Sequence, residues 1–160
     1  MKSCVFPGSF DPVTKGHVDL INRAASLFDR VTVTVMRNIH KSGEIRVEDR
    51  INLLRKACAG LSNVRIESWD GLLTDYMRQH GETVVIRGLR GSAEFEKEYC
   101  AFAANRSLFP AFETVFLPCD PSLTHISSSA VREISSFGGD IRPFVPENLT
   151  EEISELMSKE

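Results

Sequence analysis

The chain has 160 residues, 42% of them hydrophobic and 26% charged, with a net charge of −3 at pH 7. That is enough for one domain with a full core, and the charge balance excludes a general nucleic-acid binder, whose affinity comes from clustered positive charge. The N-terminus, Met1-Lys2-Ser3 leading into a three-residue apolar run, is too short and too soon interrupted for a signal peptide, and nothing approaches a membrane span, so a cytoplasmic protein is expected.

Cys4-Val5-Phe6 reads as a short buried strand stopped by Pro7-Gly8, and Gly16-His17 opens a helix with Val18, Ile21, Ala25 and Phe28 at helical spacing. Val31-Thr32-Val33-Thr34-Val35 is β-branched throughout and is the clearest strand, followed by a polar loop through Asn38, His40 and Lys41. Val47, Ile51, Leu54 and Cys58 predict a second helix with Glu48 and Asp49 in its first turn; Asn63 to Glu67 reads as a strand. Leu72, Leu73, Tyr76 and Met77 form a short helix ended by Gly81, with both leucines read as core, and Thr83 to Ile86 gives a buried strand before Arg87-Gly88-Leu89-Arg90-Gly91. Phe95, Tyr99, Phe102 and Ala103 describe the inward face of a long helix, and Thr114 to Leu117 a strand. Ser127-Ser128-Ser129 precedes a helix carrying Val131, Ile134 and Phe137, Pro143 and Pro146 punctuate a turn, and Asn148 with Glu151 suggests a capped terminal helix. The four cysteines, Cys4, Cys58, Cys100 and Cys119, are scattered, so neither a zinc site nor a disulfide framework is expected, and they read as small buried apolar residues.

End-to-end alternation of strand and helix predicts an α/β fold, a Rossmann-like parallel sheet with helices on both faces. In such folds the loops at the carboxyl ends of the strands collect along one edge, so Ser9, Phe10 and His17, the Arg87 to Gly91 loop, and Ser127 to Ser129 should converge on one pocket. His17 at a helix start suits phosphate chemistry, because unpaired backbone N–H groups and the positive dipole end favour an anion and a neutral imidazole adds a directed donor. Arg87 and Arg90 on a glycine-permitted loop can grip phosphates bidentately, and Lys41 can hold an incoming phosphate or neutralise one under attack. Three serines at a helix start offer hydroxyls and backbone N–H groups to further phosphates. No serine or cysteine with a paired base suggests a covalent intermediate.

Ser9-Phe10-Asp11-Pro12 followed by Thr14-x-Gly16-His17 resembles the nucleotidyltransferase superfamily with a T/H-x-G-H element. With Pro7-Gly8 in front, Ile86-Arg87-Gly88-Leu89-Arg90 and Ile126-Ser127-Ser128-Ser129, it is similar to the bacterial phosphopantetheine adenylyltransferase family over essentially the whole chain. The resemblance implies transfer of the adenylyl group of ATP to 4′-phosphopantetheine, giving dephospho-coenzyme A and pyrophosphate, with His17, Lys41 and Arg90 as the catalytic residues. It implies that Ser9, Lys41, Leu73 and Arg87 meet the acceptor substrate. Ser9, Phe10, His17, Gly88, Leu89, Arg90, Glu98 and the run Leu123, Thr124, His125, Ile126, Ser127, Ser128 and Ser129 would then border ATP. Mg2+ arriving with ATP, a homohexamer and feedback binding of coenzyme A are implied in the same way, and no residue is expected to form a metal cage.

One departure stands out: relatives usually carry an aromatic residue and then Ser-Phe before Ile-Ser-Ser-Ser, where this chain has Leu123-Thr124-His125. An aromatic platform for adenine is therefore not expected, and His125 reads as solvent-facing or packing. Two other readings remain open, a small cytidylyltransferase of the glycerol-3-phosphate type and a non-catalytic nucleotide or coenzyme A sensor on the same fold.

Overall fold

A computed structural model describes residues 2–37 and 45–158. Five strands, β1 (Ser3–Gly8), β2 (Arg30–Met36), β3 (Val64–Trp69), β4 (Val84–Leu89) and β5 (Glu113–Pro118), form one sheet in the order β3-β2-β1-β4-β5, every neighbouring pair parallel. Six α-helices connect and flank them among the described residues: α1 (Lys15–Leu27), α2 (Val47–Ala57), α3 (Leu73–His80), α4 (Ser92–Leu108), α5 (Ser128–Ser136) and α6 (Thr150–Met157).

Successive strand residues face opposite sides, and the core divides accordingly. Cys4 and Phe6 of β1 with Val31, Val33 and Val35 of β2 meet Leu20, Ile21 and Ala24 of α1, Leu53 and Leu54 of α2, Val131 of α5 and Ile153 of α6. Val5 and Val85 point the other way onto Tyr76 and Met77 of α3 and onto Phe112, with Phe102 of α4 packed against them. Helices thus cover both faces, as parallel crossovers demand.

Several elements differ from the sequence reading. Strand β1 does not stop at Pro7 but runs on through Pro7 and Gly8, which pair with Thr34 and Val35 of β2. On its other side β1 pairs with β4 only at Val5 and Val85, because Pro7 has no N–H to extend a ladder there. The carboxyl ends of β1 and β4 lie where the strand order reverses, the crevice in which α/β sheets bind ligands. Helix α1 starts before Gly16, at Lys15, with Thr14 as its N-cap, and Phe28 is its C-cap. Asn148 does not cap the terminal helix; a 3-10 turn, Glu147–Leu149, leads directly into α6, which has no side-chain cap. Phe137 stands 86% exposed, Leu72 57% exposed, and α4 buries no residue at all, with Phe95 and Tyr99 open. Cys4 and Cys58 are buried as expected, whereas Cys100 is exposed and Cys119 half-buried.

Candidate active site

The carboxyl ends of β1 and β4, the first turns of α1 and α5 and the start of α4 enclose a cleft of about 380 Å³. Its wall includes Ser9, Phe10, His17, Arg87, Gly88, Arg90, Glu98, Leu123, Ile126, Ser127, Ser128 and Ser129, so the three motif loops do meet. Leu89, Thr124 and His125 are not on this wall; His125 is exposed and packs edge-on against Phe144 at 6.1 Å. Leu73 lies against the second core cluster, with Tyr76 and Met77, and not in the cleft. Lys41 lies outside the described residues, as do Asn38 and His40.

His17 is fixed by its own helix start. It occupies the third helical position of a capping box in which Thr14 Oγ1 accepts the His17 backbone N–H at 3.3 Å and His17 Nδ1 accepts the Thr14 backbone N–H at 3.1 Å. A glutamate or glutamine usually takes that place. A backbone N–H can only donate, so Nδ1 carries the lone pair and the neutral ring bears its proton on Nε2. The buried Phe10 ring packs edge-on against the imidazole at 5.0 Å. Desolvation, and then the nearby Arg90 charge, lower the His17 pKa from 6.5 to about 4. At neutral pH the cleft is therefore given a neutral ring with one directed N–H.

A histidine NMR titration is expected to find the His17 midpoint near 4 with the Nε2–H tautomer above it, and a midpoint at the ordinary 6.5 would remove this account of the ring. Stability follows the same shift. Between pH 6.5 and 4 the unfolded chain binds the proton that the folded ring refuses, so stability falls as the pH drops through that window.

The backbone before His17 is shaped for close approach. Phe10 adopts φ +48°, an outlier for a bulky residue, and a Cβ on Gly8 would stand 3.0 Å from the Phe10 ring. A Cβ on Gly88 would overlap the Cδ1 methyl of buried Leu20, so the glycine lets β4 pack closely on α1 beside the cleft. The first loop is held from outside: Arg50, nearly fully buried on α2, donates Nη1–H to the Ser9 carbonyl at 2.8 Å, and Asp11 Oδ1 accepts the Ile45 N–H at 3.1 Å.

The serines do more than face the ligand. Ser127 caps α5 by accepting the Ala130 N–H at 3.1 Å, Ser128 Oγ donates to the Pro12 carbonyl at 2.8 Å, and Ser129 Oγ accepts from Arg132, which also donates to the Asp11 carbonyl. The hydroxyls tie α5 to the β1-α1 loop, so two helix N-termini open on one cleft and both favour anions.

Both loop arginines are ion-paired and line the cleft. Arg87 Nε lies 3.2 Å from Glu98 Oε2, and its Nη1 donates to the Pro7 carbonyl at 3.1 Å. Arg90 Nε donates to Glu94 Oε1 at 2.8 Å, its Nη2 also meets Glu94, and Nη1 donates to the Ile126 carbonyl at 3.0 Å. Burial alone would raise the Glu94 carboxyl, but the hydrogen bonds from Arg90 outweigh it and hold it below the usual range.

The sequence reading missed Glu94, Lys97 and Cys119 on the cleft wall and Arg50 and Arg132 behind it. The spacing of four between Arg90 and Glu94 was the available signal for the first of these.

The Cytidylyltransferase-like family model matches residues 5–134. A phosphopantetheine adenylyltransferase of Clostridium perfringens is 46% identical over 158 residues, covering 99% of this chain and 96% of that protein. The chain belongs to the phosphopantetheine adenylyltransferase family. Relatives of the same name from Finegoldia magna and Dictyoglomus thermophilum are 45% and 44% identical, covering 94% and 97% of this chain and 93% and 94% of those proteins. Membership makes the chain an enzyme, a nucleotidyltransferase.

Among solved structures, the nicotinic acid mononucleotide adenylyltransferase of Plasmodium falciparum complexed with NaAD superimposes with a TM-score of 0.67 at 17% identity, covering 97% of this chain and 96% of that one. A Vibrio parahaemolyticus structure assigned to nicotinate-nucleotide adenylyltransferase gives 0.65 at 20% identity, covering 99% and 93%. These two likenesses speak to the Rossmann-like fold alone.

Proposed function

We propose that this enzyme transfers the adenylyl group of ATP to 4′-phosphopantetheine, forming dephospho-coenzyme A and releasing pyrophosphate. The observation that carries the reading is the convergence, at the switch point of the sheet, of two helix N-termini, two arginines and a histidine whose Nδ1 accepts a backbone N–H on one cleft. The names of the relatives support the choice of substrates.

The reaction joins two anions. An acceptor phosphate oxygen attacks the α-phosphorus, the bond from that phosphorus to the β-phosphate bridging oxygen breaks, and pyrophosphate leaves; positioning and charge stabilisation are what the protein supplies. The Nε2–H of His17 donates to a non-bridging α-phosphate oxygen as charge builds there. Arg87, beside Ser9, holds the acceptor phosphate, and Lys41 shares that task by family resemblance. Arg90, Gly88 and the first turn of α5 at Ser127 to Ser129 hold the triphosphate, with Leu123 and Ile126 packing near the base. Glu98 serves the site through its pair with Arg87.

Mg2+ would supply charge neutralisation on the triphosphate. Among the described residues no group of three or more His, Cys, Asp or Glu is placed to hold a metal, and Glu94 and Glu98 are both engaged by arginines, so the ion belongs with the nucleotide.

Pyrophosphate release with ATP or CTP, each offered 4′-phosphopantetheine or glycerol 3-phosphate, tests the assignment. Turnover with ATP and 4′-phosphopantetheine is expected. Preference for CTP with glycerol 3-phosphate would transfer the chain to the cytidylyltransferase reading, and tight nucleotide binding without turnover to the sensor.

The homohexamer implied by family resemblance finds support in an unpartnered face. Phe95 (44% exposed) and Tyr99 (54% exposed) on α4 form with Phe116 of β5, against which Phe95 packs, a row of aromatic side chains open to solvent. Tyr99→Glu is expected to lower the sedimenting mass toward the 17.9 kDa monomer. An unchanged mass would place any interface elsewhere. Coenzyme A retains the adenylyl and pantetheine parts of the product, so feedback binding would use the same cleft. Four free cysteines suit a reducing cytoplasm, and no described helix is long and apolar enough to cross a membrane.

A further inference from the structure

We propose that Glu94 is a positioning residue for adenylyl transfer, gripping one edge of the Arg90 guanidinium so that its remaining donors stay turned to the substrates; this rests on the cleft being the adenylyl-transfer site. Glu94 lies on the cleft wall and meets Arg90 through both of its carboxylate oxygens. Glu94 Oε2 accepts the Arg90 backbone N–H at 2.9 Å while Oε1 accepts Nε–H at 2.8 Å and meets Nη2. One carboxylate thus holds both the main chain and the side chain of the same arginine. It is itself held in place, since Glu94 lies in the first turn of α4, where the helix dipole favours an anion.

The consequence for Arg90 follows from counting donors. A guanidinium offers five N–H groups, and Glu94 takes two of them on the side that carries Nε. The Ile126 carbonyl takes a third, on Nη1, and thereby joins the β4-α4 loop to the residue that precedes Ser127. Two N–H groups are left for a ligand, in a direction set by the other three. Glu98 does not hold Arg87 in this way: its contact is a single approach of 3.2 Å to Nε, without the main-chain bond.

A positioning role and a competing role make opposite forecasts. If Glu94 merely competes with phosphate for Arg90, its removal tightens ATP. If it positions Arg90, the freed arginine still meets the triphosphate in the ground state but no longer in the orientation that the transition state needs, and the loss falls on kcat rather than KM.

Glu94→Ala and Glu94→Gln are to be compared with the wild type by steady-state kinetics for both substrates, by calorimetric ATP binding and by thermal melting. Glu94→Ala is expected to melt like the wild type, to lower kcat by about 10-fold to 100-fold and to leave KM for the phosphopantetheine acceptor unchanged. Glu94→Gln, which keeps an acceptor oxygen, is expected to fall between. In an Arg90→Ala background the Glu94→Ala change is expected to cost far less, because the side-chain contacts are already gone and only the main-chain bond to residue 90 is left to lose. Unchanged kcat, tighter ATP binding without loss of kcat, or the same loss in the Arg90→Ala background would each overturn the proposal. Absence of turnover in the wild-type chain would instead overturn the adenylyl-transfer reading, and this inference with it.

Discussion

Replacing His17 with alanine is expected to lower kcat by about 10²- to 10³-fold, the usual worth of one directed transition-state donor, with ATP still bound. The size of the effect comes from how completely the ring is prepared. Its tautomer is set by the Thr14 N–H, its neutrality by burial against Phe10 and by Arg90, and its place by the first turn of α1. The same substitution removes one half of the capping box, the bond from the Thr14 N–H to Nδ1, which costs about 1 kcal/mol of stability by itself. His17→Gln separates the two effects, since glutamine is a normal partner in a capping box: it is expected to recover stability without recovering rate. Near-wild-type turnover of His17→Ala at saturating substrate would remove the residue from the mechanism.

The two loop arginines are expected to divide the substrates between them. Arg87 sits against β1 at the Pro7 carbonyl, so Arg87→Ala is expected chiefly to raise KM for the phosphopantetheine acceptor. Arg90 is tied to Ile126 at the threshold of the serine turn, so Arg90→Ala is expected to impair the ATP half of the reaction, by about 10²-fold or more in kcat/KM. Lysine is expected to rescue neither, because a point charge cannot serve a carbonyl, a carboxylate and a phosphate in one plane. Equal and small effects on both substrates would mean that the arginines are surface ion pairs.

Much of this arrangement was legible in the residues. The β-branched run at Val31 to Val35 could only be a strand, and three motif loops following strands had to share one sheet edge once the fold was parallel. What local pattern could not give was the partner of each group. Phe95, Tyr99 and Phe102 have helical spacing, yet periodicity does not say whether an apolar face is covered by its own chain, and only Phe102 packs on the core while Phe95 and Tyr99 stay open. Pro7 looked like a terminator because proline cannot serve two ladders, whereas β1 needs only the one toward β2 at that point. Ser127 to Ser129 suggested phosphate ligands, but the bonds of Ser128 to Pro12 and of Arg132 to Asp11 span more than a hundred residues and are visible only in three dimensions. The protonation of His17 likewise depends on the geometry of its neighbours and not on its identity.

On the proposed mechanism adenylyl passes in a single step from ATP to the acceptor, with no side chain adenylylated on the way. The stereochemical course at the α-phosphorus tests it most directly, using ATP with a chiral phosphorothioate at that position and 4′-phosphopantetheine as acceptor. Inversion in the product is the result expected of one in-line displacement. Retention, which requires two displacements and an adenylylated enzyme between them, would contradict it.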